Sequence, residues 1–319
     1  MRKIVFTMLC GILCLTSCSH SSESEEEAIY QQKVHPIQFN VALEKEVFSF
    51  PATRSIPGLN IPEPILSKSD GESKELKDLC TTIEYMVYTQ GENPTLVKHR
   101  QFVFDQTNLD ADFGIVYDSL PKGSYQFCFL AHNSHTATLS GTTFTFDDVS
   151  DSFYKILPLN IEVAEVVNKD ITLERIVSRI EFMATDTVPK VLKAFNIEAG
   201  GVSKQLNILN GNGLASAENH NISHQFTAEE IGKSNTIHSF YTFLTADNNK
   251  LNAKLSAMDK SDNLIRERIV SNIIPERNKI IRYKGRLYSR SESDNTFQIS
   301  IFDNGKWSQE VEETLPDYE

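Results

Sequence analysis

The chain has 319 residues, 40% of them hydrophobic, with 31 lysines and arginines against 43 aspartates and glutamates and a formal net charge of −12. A surface this acidic argues against nucleic acid or an anionic bilayer face as a partner. The length suits two domains of about 150 residues or one large one, and the apolar content is enough for a packed core.

The first residues are Arg2 and Lys3, followed by an apolar run from Ile4 to Leu15. This is a charged n-region and a short h-region. The run falls short of the about 20 apolar residues that cross a hydrocarbon core. It ends in Leu15-Thr16-Ser17-Cys18, which resembles a bacterial lipobox. The resemblance implies that residues 1–17 are a lipoprotein signal peptide, cleaved before Cys18, and that Cys18 is lipidated. Two or three acyl chains anchor stably, because each buried CH₂ adds ~0.8 kcal/mol and one chain alone binds marginally. The alternative is a plain secretory signal with a chance cysteine. Residues 18–34 are rich in serine and glutamate with little to bury, and read as an acidic tether. Within them, Ser24-Glu25-Glu26-Glu27 resembles the acidic export signal of Bacteroidetes surface lipoproteins; a plain hydrophilic spacer is the other reading.

Ile37, Phe39, Val41 and Leu43 alternate with Gln38, Asn40 and Ala42, the period of a strand with one buried face. Pro51–Pro64 holds four prolines and a glycine around Arg54 and reads as an exposed loop. Lys74–Leu79 is the one helix-like piece. Strands then follow at Thr82–Tyr88, His99–Phe104, Phe113–Tyr117 and Ser124–Ala131, with two more at Ser140–Phe146 and Tyr154–Leu159. Turn-forming clusters such as Pro121-Lys122-Gly123 separate them. Phe153–Val167 fits strand or loop. Asp170–Met183 has no cleanly apolar face and is read as one long strand that starts a second domain, with Arg175 and Arg179 placed to pair with carboxylates. Further strands are expected at Ala194–Ala199, Gln205–Leu209, Ser239–Thr245, Leu251–Met258, Leu264–Val270, Ile280–Leu287 and Phe297–Phe302. The whole reads as an all-β protein of two sandwiches, an N-terminal one over 35–169 and a C-terminal one over 170–319.

No catalytic constellation, metal site or cofactor fingerprint stands out, so the chain is read as neither enzyme nor cofactor protein. His132 and His135, and His220 and His224, lack further ligands and are read as solvated side chains, the second pair within a loop. Once Cys10 and Cys14 leave with the signal and Cys18 carries lipid, only Cys80 and Cys128 remain. An exported compartment permits a disulfide between them; two buried thiols are the alternative. Tyr85, Tyr88, Tyr125 and Phe127 are read as core aromatics.

Taken together, the lipobox, the strand PIQFNVALEKEVFSF, the arginine loop PATRS, the mid-chain LERIVSRIEF and the late IPERNKIIRYKGRLY with FQISIFDNGKW resemble the fimbrillin superfamily of Bacteroidales. These are lipoprotein-derived subunits of type V pili. The resemblance implies two transthyretin-like β-sandwich domains in tandem, an outer-membrane location through the lipid on Cys18, and other fimbrial subunits as partners. It implies that in a stalk subunit cleavage after an arginine, here Arg54, removes the first strand and strips Ile37, Phe39, Val41 and Leu43 from the core. A strand from another subunit then fills the groove. The alternative is that Arg54 is an ordinary loop arginine and the protein keeps its first strand as a lipid-bearing anchor. The tail Gln309–Glu319 carries only Val311 and Leu315 as spaced apolar residues, a weak donor that favours an anchor or accessory role over a stalk role. The alternative is a surface lipoprotein that binds glycan or another ligand without polymerising.

Overall fold

The computed structural model describes residues 33–44, 47, 74–104, 112–162, 166–290, 297–303 and 306–313. Cys18, the run Ser24–Glu27 and Arg54 lie outside the described residues. The first half of the chain contributes β1 (Val34–Leu43), the single helical turn α1 (Leu76–Leu79), β2 (Thr82–Thr89), β3 (Leu96–Val103), β4 (Ile115–Pro121), β5 (Gly123–His132), β6 (Thr138–Ser140), β7 (Thr143–Thr145), β8 (Phe153–Ile161) and β9 (Val167–Arg175). The Asp78 carboxylate accepts the Glu75 amide at 3.0 Å, which starts α1, and buried Leu76 and Leu79 pin it to the core.

Seven of these strands form a sheet in the order β3-β2-β5-β8-β9-β1-β4. β8 and β9 share only the pairs Phe153↔Arg175 and Tyr154↔Glu174, so the sheet folds there. Its two parts enclose one apolar cluster that includes Phe39, Ile83, Tyr85, Phe127, Phe129 and Leu173. On the far side, Arg100 Nη1 of β3 donates to the Tyr117 carbonyl of β4 at 2.7 Å, and Lys98 pairs with Asp118. Side chains thus bridge the two sheet edges that main-chain pairing leaves apart.

The second half repeats this plan. It contributes β10 (Val177–Ala184), β11 (Leu192–Gly200), β12 (Gln205–Asn207), β13 (Asn212–Gly213), β14 (His220–Gln225), β15 (Ile237–Phe243), β16 (Leu251–Asp259), β17 (Leu264–Ile273), β18 (Lys279–Gly285), β19 (Phe297–Asp303) and β20 (Lys306–Glu313). β10 lies between antiparallel β15 and parallel β18, as β1 lies between antiparallel β4 and parallel β9. The order β14-β11-β16-β17 likewise matches β3-β2-β5-β8. The hairpin β19–β20 extends the second half beyond β18. No repeat is legible in the amino acids themselves.

A third core joins the halves. β6 and β7 pair with β12 and β13 in one small sheet. Beneath it, Met86, Tyr88, Cys128 and Leu130 of the first half pack with Leu206, Ile208 and Phe243 of the second. This is why β2 is buried on both faces, as its run of apolar and aromatic residues requires. Tyr154 Oη donates to the Ile208 carbonyl at 2.6 Å across this seam.

Several expectations change. Asp170–Met183 is two strands, broken at Ile176, whose amide donates to the Ser152 carbonyl at 3.0 Å. β9 belongs to the first sheet and β10 to the second. The mixed character of β10 has a physical cause: Ile180, Phe182 and Ala184 fill the second core, whereas Glu181 on the other face binds Arg179 at 3.0 Å and Arg282 at 2.7 Å. The histidine-rich stretch read as a loop is strand β14, held to β11 from Ala194↔Gln225 to Ala199↔His220. Ser140–Phe146 contains a hairpin turning at Gly141 rather than one strand. The first residues of the acidic tail, through Glu313, form strand β20 at a sheet edge.

Candidate functional site: the slot of the first strand

β1 occupies a slot between β4 and β9. It runs antiparallel to β4 from Val34↔Pro121 to Asn40↔Ile115 and parallel to β9 from Ile37↔Val167 to Leu43↔Leu173. Pro36 lies before the pairing with β9 begins, so its missing N–H falls where β1 has a single neighbour. The alternation read from sequence holds in space. Ile37, Phe39 and Val41 are buried at 2%, 0% and 7% exposure, and Leu43 packs half-buried against the same cluster. Phe39 is the centre of the contact, its ring 5.0 Å from Phe127, 5.1 Å from Phe129 and 6.1 Å from Tyr85. His35 shares this face and is buried at 3% exposure.

The opposite face of β1 is polar and tied to β9. Asn40 Nδ2 donates to Asp170 Oδ1 at 2.8 Å, and Gln38 Nε2 donates to Asn40 Oδ1 at 3.0 Å. The end of the strand is fixed by Gly114, whose carbonyl accepts the Val41 amide at 2.7 Å. The structure therefore brings Ile37, Phe39, Val41 and Leu43 together.

The other candidate residues are dispersed. Cys80 and Cys128 are buried free thiols in different clusters, so the disulfide is replaced by two packed cysteines. Burial raises the Cys80 thiol well above its ordinary pKa and pushes Cys128 up to about 12. His132 is not solvated but fully buried, 3.6 Å from Glu84 and edge-on to Phe146. Burial works against the Glu84 carboxylate, but the facing His132 and hydrogen bonds from Gln101 and His99 outweigh it and hold its carboxyl below the usual range. His135 is exposed. His224 binds Glu230 at 2.9 Å, and His220 lies 3.9 Å from Asp148. Among the described residues, no group of three or more His, Cys, Asp or Glu side chains is placed to hold a metal ion.

A shallow cleft of about 490 Å³ lies on the outer face of β14-β11-β16-β17. Its lining includes Asn196, Asn221, Ser223, Lys254, Ser256 and Met258. Sequence reasoning missed it because these side chains alternate outward on three strands, β14, β11 and β16, that only the folded sheet sets side by side.

The described residues form an all-β protein of two matched, sandwich-like halves in tandem. The chain belongs to DUF6562, described as a family of unknown function, whose profile matches residues 31–318. No curated protein matches it. Among solved structures, a DUF1812 protein of Bacteroides thetaiotaomicron with a suggested role in polysaccharide binding matches over 88% of this chain and 99% of its own, at 11% identity and a TM-score of 0.51. The fimbrial anchor protein Mfa2 of Porphyromonas gingivalis matches over 88% of this chain and 100% of its own, at 11% identity and a TM-score of 0.48. At these identities the first similarity shows a shared fold and nothing more.

Proposed function

We propose that this chain is a non-catalytic structural subunit of a cell-surface fimbria, an anchor, accessory or stalk protein assembled by β-strand exchange. One observation carries the reading. β1 is interior to its sheet yet is the first described strand, joined to α1 only by the stretch that contains Arg54. A strand that is central in space and first among the described strands can leave without unthreading the strands that follow it. Its departure uncovers Tyr85, Phe127 and Phe129, and an incoming apolar strand re-covers them. Four such side chains contribute on the order of 6–12 kcal/mol of burial before ordering costs.

In this reading the lipid on Cys18 ties the protein to the outer membrane, and cleavage after Arg54 decides whether β1 is kept or surrendered. The halves act as transthyretin-like sandwich domains; we take their join at Ile176 rather than residue 170, because β9 pairs with β1. Intact mass of the native, membrane-extracted protein and of Arg54→Ala tests the processing. A cleaved subunit starts after Arg54 and reverts to Cys18 in the variant; an anchor starts at Cys18, with lipid, in both. Electron microscopy of a deletion strain tests the role, and fibres unchanged in number, length and attachment would overturn it.

A second reading rests on the cleft, whose mixed lining sets Asn196, Asn221 and Ser223 beside Ile197, Ile222 and Met258, and on the suggested role of the DUF1812 protein. Here the chain is a surface lipoprotein that binds glycan at Asn196, Asn221 and Ser223 without polymerising. Specific retention on a polysaccharide column, lost in Asn196→Ala, in a strain without fibres supports it over the first.

A further inference from the structure

β4 stands at an edge of the seven-stranded sheet and, among the described residues, pairs only with β1. When β1 leaves, β4 loses its whole ladder. Exposed edges seek new pairing, and β9 would stand one strand-width away with its own edge bare. A β4 free to move would close the slot or detach from it, and in either case an incoming strand would find no two-sided groove.

Two things still hold β4. Val116 and Leu120 are buried in the core at 0% and 2% exposure. The other is a set of side-chain bonds from the facing part of the same folded sheet that converge on three consecutive residues. Tyr85 Oη of β2 donates to Asp118 Oδ2 at 2.7 Å. Lys98 of β3 pairs with Asp118 and reaches the Ser119 carbonyl at 3.4 Å. Arg100 of β3 donates to the Tyr117 carbonyl at 2.7 Å. The Asp118 side chain is 3% exposed, so water competes little for it. β2 and β3 pair with each other, and β2 with β5, so this support does not depend on the β1 ladder.

We propose that Tyr85, Lys98, Arg100 and Asp118 form a clasp that keeps β4 in place while β1 is exchanged, holding the slot open for an incoming strand. This rests on the strand-exchange reading above. The four are positioning residues. Tyr85 links clasp and occupant: its ring packs 6.1 Å from Phe39 while its hydroxyl holds Asp118. The partner that fits is an extended segment with alternate apolar side chains and an aromatic at the position of Phe39.

The test uses residues 18–319 with a site-specific protease sequence in place of residues 56–61, cut once after purification so that β1 stays bound without a covalent link. A fluorescent peptide of Val34–Leu43 then competes for the slot. The unsubstituted cut protein takes up the peptide. Asp118→Ala and Lys98→Met bind it about tenfold more weakly, the loss expected for one charged hydrogen bond. Lys98→Arg restores much of the binding. Lys155→Met, which removes an exposed pair with Glu174 on the same half, behaves as the unsubstituted protein. The clasp variants also lose more thermal stability when cut than when uncut, a difference that a merely structural role would not produce. Equal peptide uptake by the unsubstituted protein and both clasp variants overturns the clasp and leaves strand exchange standing. No uptake by the unsubstituted protein overturns strand exchange itself. If uncut Asp118→Ala does not fold, Lys98→Met and Arg100→Met decide the matter.

Discussion

The amide of Val41 donates to the carbonyl of Gly114 at 2.7 Å, and a Cβ on Gly114 would stand 2.7 Å from the Val41 carbonyl oxygen. Gly114 has φ +107°, which side-chain-bearing residues rarely adopt. Closeness and conformation therefore both demand glycine where the chain turns into β4. Gly114→Ala is expected to cost about 1–3 kcal/mol, the strain of such a backbone, and to loosen the end of β1. Urea denaturation measures the first effect and hydrogen exchange at the Val41 amide the second. An unchanged midpoint with unchanged exchange would show that the contact constrains nothing.

Phe39 carries more of the slot than its neighbours. It is fully buried among three aromatic rings, whereas Leu43 is only half-buried at the strand end. Phe39→Ala is expected to destabilise by about 3–5 kcal/mol, the range for emptying an aromatic site that cannot collapse. Leu43→Ala should cost clearly less. Denaturant midpoints of the two variants, compared at equal m-value, decide the order, and a larger loss at Leu43 would place the anchor of β1 elsewhere.

The slot was legible because β1 has one apolar and one polar face, so a period of two marks which side chains enter the core. The same logic failed at Asp170–Met183. There Ile176 separates two strands, and the buried charges Arg179 and Glu181 form an ion cluster with Arg282, a hundred residues away. Periodicity registers burial through hydrophobicity, and a buried ion cluster carries none. His132 was misjudged for the same reason, since its cover comes from Phe144 and Phe146 on a later hairpin. Strand β14 is an edge strand with half-exposed alternation, and its histidines and asparagines look like loop when its partner β11 is not in view. The clasp was out of reach altogether, because it joins β2 and β3 to β4 through contacts that no local pattern encodes.

Arg175 and Asp151 make an enclosed ion pair at the junction of the halves. Arg175 Nε and Nη2 donate to the two Asp151 oxygens at 2.7 Å and 2.9 Å, Nη1 donates to Asn278 Oδ1 at 3.1 Å, and the guanidinium lies 4.8 Å from the Phe153 ring centre. The arginine side chain has no exposed surface and the aspartate 12%. Removing one partner strands a buried charge, which costs about 3–5 kcal/mol. Asp151→Ala and Arg175→Met are each expected to lose that much, and the double variant less than the sum of the two. A lysine cannot reproduce the planar two-point contact, so Arg175→Lys should resemble Arg175→Met more than the native protein. Additive losses in a double-mutant cycle would mean that the pair contributes nothing as a pair.

His238 sets an acid limit on the second half. It is buried against Phe195, with ring centres 4.3 Å apart, and its Nε2 lies 2.7 Å from the Tyr288 hydroxyl. Burial, aided by the neighbouring His224, lowers its pKa to about 3. The unfolded chain takes up a proton at this histidine below about pH 6.5, and the folded protein does not until about pH 3. The unfolded state therefore binds more protons in that window, so stability is full above about pH 6.5 and falls as pH drops toward 3. The loss is on the order of a few kcal/mol. Glu230 acts in the same direction: burial opposes its charge, but bonds from Thr227 and the nearby His224 outweigh that and keep its carboxyl below the usual range. Thermal melts at half-unit steps from pH 7 to pH 4 should show the decline, and His238→Gln should flatten it while leaving the contribution of Glu230. A variant with the same slope as the native protein would assign the acid sensitivity to other groups, among them His220, whose pKa burial also lowers, and the carboxylates.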